Sequence, residues 1–250
     1  MIIILLEGPC LKHLSTTKIS ALEIDKSDIL DLLSELRISG KYLPQSSINL
    51  FLSTYSRLPR ILSLFRKLDP STSIYFLTPI GVFHENDLAI GYYECFSEMP
   101  SNQIKELLVK FGAYEKIYDL LEQDFDLCVI CMTNKLIRLL ELDYYLPANR
   151  PSIIVSNAYS SEKNNVYTIT QTHFFTSRLR RVFEKISLPD LYQHALDYIA
   201  KALIDLADRG YKLKYLYENP KDLYKAIFSS GMLDKFLSIK RRQDRILKFI

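Results

Sequence analysis

Short apolar runs alternate with helical patterns over the first 170 residues, and this alternation restricts the fold more than any other feature. The apolar, β-prone runs occupy residues 1–6, 48–52, 74–77, 125–131, 152–155 and 166–169. Between them, residues 28–37, 59–68, 101–121 and 135–144 carry apolar side chains at helical spacing. The pattern predicts an α/β fold in which a mostly parallel sheet is flanked by helices.

The strand predicted at residues 74–77 ends at Thr78-Pro79, which is the most distinctive local feature. A proline followed so soon by Gly81 cannot prolong a central strand, so we expect the chain to turn out of the sheet there. Small polar residues also follow other predicted strands, at positions 53–54, 133–134 and 156–157. Because parallel strands end at one edge of a sheet, these residues are expected to form a polar rim for a planar ligand such as a nucleobase. The alternative is that they only cap the following helices.

Ten residues in and around this rim are the candidate ligand contacts. They are Ser53, Thr54, Tyr55, Arg57, Thr78, Pro79, Gly81, Tyr93, Glu94 and Asn157. Glu94 is the carboxylate that we nominate among them as an acid or base, and a surface ion pair is its alternative role.

Glycine and cysteine spacings argue against several classes of site. The seven glycines form neither a GxGxxG nor a GxxxxGK[ST] phosphate loop, so no cofactor is expected. The four cysteines are too few and too dispersed for a disulfide framework. Cys128 and Cys131 have CxxC spacing but no second ligand pair, so no metal is expected. The apolar start of the chain stops at Glu7, far short of a membrane span, which favours a cytoplasmic protein.

Basic residues are concentrated after residue 170, where we expect a separate helical region. Residues 171–250 hold 16 Lys and Arg against 9 Asp and Glu, a net charge of +7, whereas residues 1–170, the predicted α/β domain, carry −4. Helical patterns cover residues 172–185, 189–207, 220–229 and 233–250. A basic helical appendage favours RNA as a partner, and a solvated basic face is the alternative. The candidate RNA contacts are Arg178, Arg180, Arg181, Lys240, Arg241, Arg242 and Arg245.

The turn Thr78-Pro-Ile-Gly-Val82, followed by Tyr93-Glu94 and then Phe125-Asp126, carries a family resemblance. Through these segments, residues 48–159 resemble the central domain of archaeosine synthase and its relatives among the archaeal tRNA-guanine transglycosylases. The resemblance implies an archaeal, cytoplasmic protein of tRNA modification, with tRNA as its partner and neither DNA nor a membrane.

The lysine-transfer motif of that family is incomplete in this chain. Thr54 stands where the family has cysteine, Leu58 where it has lysine, and Arg66 where it has histidine. A leucine side chain cannot act as a nucleophile or a base. The resemblance therefore implies a non-catalytic subunit or degenerate paralogue that binds tRNA or an active tRNA-modifying partner enzyme.

Two other functions stay open at this point. One is a non-enzymatic RNA-binding or scaffolding protein that acts through its basic C-terminal helices. The other is an enzyme with different chemistry at the same rim, for which the candidate residues are Tyr55, Arg57, Tyr93, Glu94 and Asn157.

Overall fold

The computed structural model describes residues 1–11, 18–26, 31, 45–170 and 187–228. The helix predicted at residues 28–37, apart from residue 31, lies outside this part of the chain, and so do the helices predicted at residues 172–185 and 233–250. The seven candidate RNA contacts are also outside it: Arg178, Arg180, Arg181, Lys240, Arg241, Arg242 and Arg245.

A six-stranded sheet forms the centre of the protein. Its strands are β1 Ile2–Glu7, β4 Ser73–Thr78, β5 Gly81–His84, β8 Leu127–Cys131, β9 Ser152–Ser156 and β10 Val166–Thr170. Four two-residue strands form two small separate pairs: β2 Lys18–Ile19 with β7 Gly91–Tyr92, and β3 Gln45–Ser46 with β6 Leu88–Ala89.

The strand order of the large sheet is β10-β9-β8-β1-β4-β5. Each neighbouring pair is parallel except β4 and β5, which are antiparallel. This confirms the predicted α/β fold with a mostly parallel sheet. All five residues of β8 and of β9 are buried, as expected for strands covered on both faces.

Helices flank this sheet. Those with described bounds are α1 Ser47–Phe51, α2 Leu58–Leu68, α3 Ser101–Lys110, α4 Ala113–Glu122, α5 Asn134–Leu139, α6 Leu142–Tyr145, α7 Leu188–Asp208, α8 Leu213–Glu218 and α9 Pro220–Phe228. Helix α7 packs on α2 and on β9, while α3 contacts α4 and α5. Among the described helices, which include the 21-residue α7, none combines the length and apolar character of a membrane span.

The prediction of a strand at residues 48–52 is wrong, because this run forms helix α1. Leu50 and Phe51 are buried while Asn49 is exposed, which suits one face of a helix. The Ser47 hydroxyl donates to the carbonyl of His84 at 2.6 Å and so attaches α1 to the end of β5. A five-residue run with four apolar side chains fits a strand or a buried helix equally well, which explains the error.

Two predicted helices are each interrupted once. The helix expected at residues 101–121 divides into α3 and α4 at Gly112, whose φ of 62° lies in the left-handed region that glycine enters readily. The helix expected at residues 135–144 divides into α5 and α6 at Glu141, with φ of 51°. Both predictions of a continuous helix are therefore wrong, although helical structure is present.

The chain reverses after Thr78 instead of leaving the sheet, so the predicted exit is wrong. Thr78 pairs with Gly81, and Pro79-Ile80 forms the two-residue loop of a β-hairpin. The Thr78 hydroxyl donates to the Gly81 carbonyl at 2.9 Å and holds the turn closed. Strand β5 therefore extends the sheet as its antiparallel edge, and Thr78, Pro79 and Gly81 are buried.

The described C-terminal helices pack onto the sheet. The Tyr224 hydroxyl, on α9, accepts from the backbone N–H of Ser152 at 3.0 Å and donates to the carbonyl of Asn165. Its position attaches α9 to the starts of β9 and β10. The division of the chain into two domains near residue 170 stays a prediction.

Candidate ligand site at the carboxyl edge of the sheet

Strands β1 and β8 lie at the topological switch point of the sheet, where the strand order reverses. From β1 the chain crosses to β4 on one side and later returns to β8 on the other side of β1. In sheets of this kind, ligands bind in the crevice beyond the carboxyl ends of the two strands at such a switch point. Glu7 ends β1, and Met132-Thr133 follows β8. The residues at these two strand ends therefore form the candidate ligand site.

Glu7 is the acidic group at this edge. Its Oε2 accepts from the backbone N–H of Thr133 at 2.7 Å. Burial raises the pKa of the Glu7 carboxyl to about 7, against the opposing effects of the Thr133 hydrogen bonds and the Lys135 charge. A carboxyl with that pKa is partly protonated near neutrality, so it can both accept and donate a proton or a hydrogen bond.

Three buried tyrosines surround the end of β1. The Tyr55 hydroxyl donates to the Glu7 carbonyl at 2.6 Å, and the Tyr92 hydroxyl donates to the Pro9 carbonyl at 2.7 Å. Tyr192, in the first turns of α7, is 1% exposed, and its hydroxyl has no hydrogen-bond partner among the described residues. Burial, followed by the nearby charge of Glu7, raises the pKa of Tyr192 well above its usual value.

An unpaired buried hydroxyl costs about 1–3 kcal/mol and therefore calls for an explanation. Asn134 supplies a second such atom, because its Oδ1 is buried without a partner in the described chain. Asn134 follows Thr133 directly, and its backbone N–H donates to Asn157 Oδ1 at 3.0 Å. We call Glu7, Thr133, Asn134 and Tyr192 the switch-point site. The two unpaired polar atoms and the nearby buried carboxyl make these four residues the candidate site for a polar ligand.

Gly8 allows the end of β1 to approach its neighbours closely. A Cβ atom at this position would lie 2.8 Å from Thr78 Cγ2, 2.8 Å from the Tyr92 hydroxyl and 2.9 Å from the Leu77 carbonyl oxygen. The Gly8 N–H also donates to that carbonyl at 2.7 Å. A larger residue could not keep these contacts, so Gly8 fixes the backbone directly after Glu7.

Gln193 attaches the loop that follows α1 to helix α7. The buried Gln193 side chain accepts from the Arg57 N–H at 2.8 Å and donates to the Thr54 carbonyl at 3.3 Å. Ser53 and Thr54 follow helix α1 and not the predicted strand. Tyr55, in the same loop, donates its hydroxyl to the Glu7 carbonyl. Ser53 and Arg57 are exposed.

The other predicted contacts lie in two different environments. Asn157 is at the carboxyl end of β9 and bonds Asn134, so it borders the switch-point site. Both Glu94 oxygens are already engaged, since Oε1 accepts from the Ser20 hydroxyl and Oε2 from the Ala21 N–H, each at 2.9 Å. Tyr93 is exposed, with the Lys18 ammonium 5.7 Å from its ring centre. Glu94 thus holds the segment at residues 20–21, and Glu7 replaces it as the candidate acid or base.

Glu7, Tyr192 and Gln193 were missed by the sequence analysis. A local signal did exist for Glu7, because an acidic residue followed by glycine comes directly after a fully apolar first strand. No local signal marks Tyr192 or Gln193, which approach β1 only because α7 packs over the sheet.

A disulfide joins Cys10 to Cys95, a pairing that was not predicted from the sequence. The two residues are 85 positions apart in sequence, and the fold brings their Cα atoms to 5.0 Å. The bond attaches the chain just after the switch-point site to the loop after β7. A Glu98 carboxylate oxygen lies within 4.8 Å of both sulfurs, so in the reduced form these three groups have the ligand types that zinc accepts.

Cys128 and Cys131 are free and fully buried in β8. Burial raises the pKa of the Cys128 thiol to about 12 and that of Cys131 well above its usual value. Buried thiols that stay protonated are poor nucleophiles. We therefore give these two residues a packing role.

Replacing Tyr192 by phenylalanine is expected to raise the free energy of unfolding by about 1 kcal/mol, because the unpaired hydroxyl is removed from a buried position. Tyr55→Phe is the matched control. Its hydroxyl is bonded to Glu7, so its loss should lower the free energy of unfolding by about 1 kcal/mol. Urea denaturation of both variants measures the two effects. Equal destabilisation by both changes would mean that Tyr192 has a partner in the free protein.

Comparison of this chain with protein-family models, with curated proteins and with solved structures finds no match.

Proposed function

We propose that this chain is an archaeosine synthase-like protein of tRNA modification that binds a guanine-type base at the switch-point site. It would act as a non-catalytic subunit or degenerate paralogue, in the cytoplasm of an archaeon, with tRNA and an active tRNA-modifying enzyme as partners. The proposal joins the resemblance of residues 48–159 to the chemistry of the groups at the carboxyl edge of the sheet.

The buried Tyr192 hydroxyl, which has no partner among the described residues and lies close enough to Glu7 to be affected by its charge, is the observation that carries this proposal. A guanine-type base presents N–H donors and one carbonyl oxygen along a single edge. The Glu7 carboxylate and Asn134 Oδ1 can accept from the donors, and the Tyr192 hydroxyl can donate to the carbonyl. A base bound in this way would satisfy the two buried atoms of the switch-point site that lack partners.

The position of Leu58 supports the non-catalytic part of the proposal. Leu58 stands where the related family has lysine, and it is 1% exposed in the first turn of α2. Thr54, in the cysteine position, contributes its backbone carbonyl to Gln193. Neither position supplies an amine or a thiol for lysine transfer.

The Cys10–Cys95 disulfide is compatible with an archaeal cytoplasmic protein. Disulfides are rare in most cytoplasms, but intracellular proteins of hyperthermophilic archaea and bacteria are rich in them. The bond therefore agrees with the origin that the resemblance implies.

A proton-transfer enzyme is the second candidate function, and the pKa of Glu7 is the observation that favours it. A carboxyl group with a pKa of about 7 is matched to general acid or base catalysis at neutral pH. Such an enzyme would use the same site with different chemistry.

Binding of two tRNAs tests the proposal. One carries the nitrile-bearing deazaguanine, and the other has uracil at the same position. We expect the wild type to prefer the first by at least ~10-fold and Glu7→Gln to lose this preference, because a hydrogen bond to a charged group contributes about 1.5–3 kcal/mol. Glu115→Gln, an exposed position on α4, is the control and should bind like the wild type. Equal binding of both tRNAs by the wild type would contradict the proposal.

A reaction assay separates the two candidate functions. The purified chain, incubated with lysine and the same precursor-bearing tRNA, should form no lysine adduct. A robust adduct would refute the non-catalytic version. Any other conversion of the base that Glu7→Gln abolishes would favour the proton-transfer enzyme.

A further inference from the structure

A second concave surface lies away from the switch-point site, where the chain passes from α7 through α8 into α9. It encloses about 440 Å³ and is lined by Tyr211, Lys212, Tyr215, Leu216, Asp222, Lys225 and Ala226. We call it the tyrosine–lysine groove. Its volume lies at the lower end of the range of about 300–1,000 Å³ for small-ligand sites, so it has room for one or two nucleotides and not for a duplex.

Two exposed aromatic rings border the groove. Tyr211 and Tyr215 are 53% and 59% exposed, so their rings face solvent instead of the core. The buried Leu216 belongs to the same lining. The Asn219 side chain donates to the Tyr215 carbonyl at 2.8 Å and fixes the end of α8 that carries this ring. Single exposed tyrosines are ordinary, but two beside one concavity form a surface on which planar groups can stack.

The charge of this region complements a polyanion. Residues 209–228 hold five basic residues against two acidic residues, a net charge of +3. Lys212 and Lys225, which line the groove, are exposed, and so are Lys214 and Lys221 beside it. Asp222 is the acidic residue of the lining, and Arg209 is engaged by Asp205 at 2.8 Å. Lysines beside exposed aromatic rings are the combination found in grooves that bind single-stranded nucleic acid.

We propose that the tyrosine–lysine groove binds unpaired RNA nucleotides, with bases stacked on Tyr211 and Tyr215 and phosphates neutralised by Lys212 and Lys225. This inference rests on the proposed function for its biological setting, since tRNA is the expected partner. The RNA contact is therefore assigned to groove residues between positions 211 and 226, and not to the basic segment at positions 240–245. An acidic protein segment would use the lysines but would gain little from the two rings.

Fluorescence anisotropy with a labelled eight-nucleotide oligoribonucleotide tests the stacking contacts on the full chain. Loss of one base–aromatic stack costs about 1–3 kcal/mol, so Tyr215→Ala should weaken binding about 10-fold, and the Tyr211→Ala/Tyr215→Ala variant about 100-fold. Tyr144→Ala is the matched control, because Tyr144 is 80% exposed and lies on α6. It should bind as the wild type does. Unfolding midpoints should agree among all the proteins because each ring is exposed. Wild-type affinity in the double tyrosine variant would overturn the proposal.

The salt dependence of the same binding tests the phosphate contacts. Each phosphate contact to a single strand contributes about 0.7 to the slope of log affinity against log salt concentration. Lys212→Gln/Lys225→Gln should therefore reduce the slope by about 1.4. An unchanged slope, or competition by polyglutamate at the same concentration as by the oligoribonucleotide, would overturn the proposal. The oligoribonucleotide carries no modified base, so a negative result in this experiment would not affect the proposal for the switch-point site. Equal binding of the two tRNAs in the base-recognition experiment would likewise not affect the proposal for the tyrosine–lysine groove.

Discussion

Replacing Cys10 by serine is expected to lower the free energy of unfolding by about 3–4 kcal/mol. The disulfide with Cys95 closes a loop over a sequence separation of 85 residues, and loops of that length give cross-links a large effect on the unfolded chain. Urea denaturation under non-reducing conditions measures the loss. The substitution should also increase proteolysis of the loop after β7, because Cys95 no longer holds it to the end of β1.

Reducing agent provides the internal control for this prediction. Dithiothreitol should lower the stability of the wild type to that of Cys10→Ser, while the variant itself should not respond. If the reduced and oxidised wild type unfold at the same urea concentration, the bond does not form in solution. Cys10 and Cys95 would then be two free thiols in the folded protein.

The free energy of unfolding of the wild type is expected to fall as the pH rises from about 4.5 to about 7. Glu7 has a pKa of about 7 in the folded protein against 4.5 for an unperturbed carboxyl, so the folded state holds a proton that the unfolded state has released. Stability falls with pH wherever the folded state binds more protons. A shift of this size corresponds to about 3 kcal/mol. Glu7→Gln cannot titrate there and should be the more stable protein above pH 7.

The difference between the two stability curves isolates Glu7. Glu85 also has a pKa raised by burial, opposed by the Arg66 and His84 charges, and it contributes equally to both proteins. Measurement of urea denaturation at pH 4.5, 6 and 8 gives the difference directly. A constant difference over this range would show that Glu7 has an ordinary pKa in the folded protein. Glu7 would then be unsuited to an acid or base role at neutral pH.

The architecture was predictable because its signals are local. The apolar runs at β1, β4, β8 and β9 are bounded by turn residues or helix caps, so alternation alone predicts the parallel sheet. The helix start at Pro59 and the helix end before Gly210 follow from the backbone preferences of proline and glycine. By contrast, the strand predicted at residues 48–52 is wrong, because a five-residue run with four apolar side chains fits either a strand or a helix.

The candidate site was less predictable because tertiary contacts create it. Polar residues after the strands indicated the carboxyl edge of the sheet, and Tyr55 and Asn157 lie there. Thr78, Pro79 and Gly81 instead form a buried hairpin, since the geometry of a two-residue loop is not evident from a Thr-Pro pair. The approach of Tyr192 to Glu7 depends on how α7 packs, and no pattern within either segment encodes it.

The pKa of Glu7, followed through the carboxyl-carbon NMR signal with and without a guanine-type base, tests the central claim most directly. In the free protein we expect a midpoint near pH 7. Nitrile-bearing deazaguanine should shift this midpoint downwards, because N–H donors on the base favour the charged carboxylate. The carboxyl-carbon signal of Glu94, whose oxygens bond Ser20 and Ala21, should be the same with and without the base. A Glu7 midpoint that stays unchanged when the base is added in excess would contradict the claim that this edge of the sheet is the ligand site.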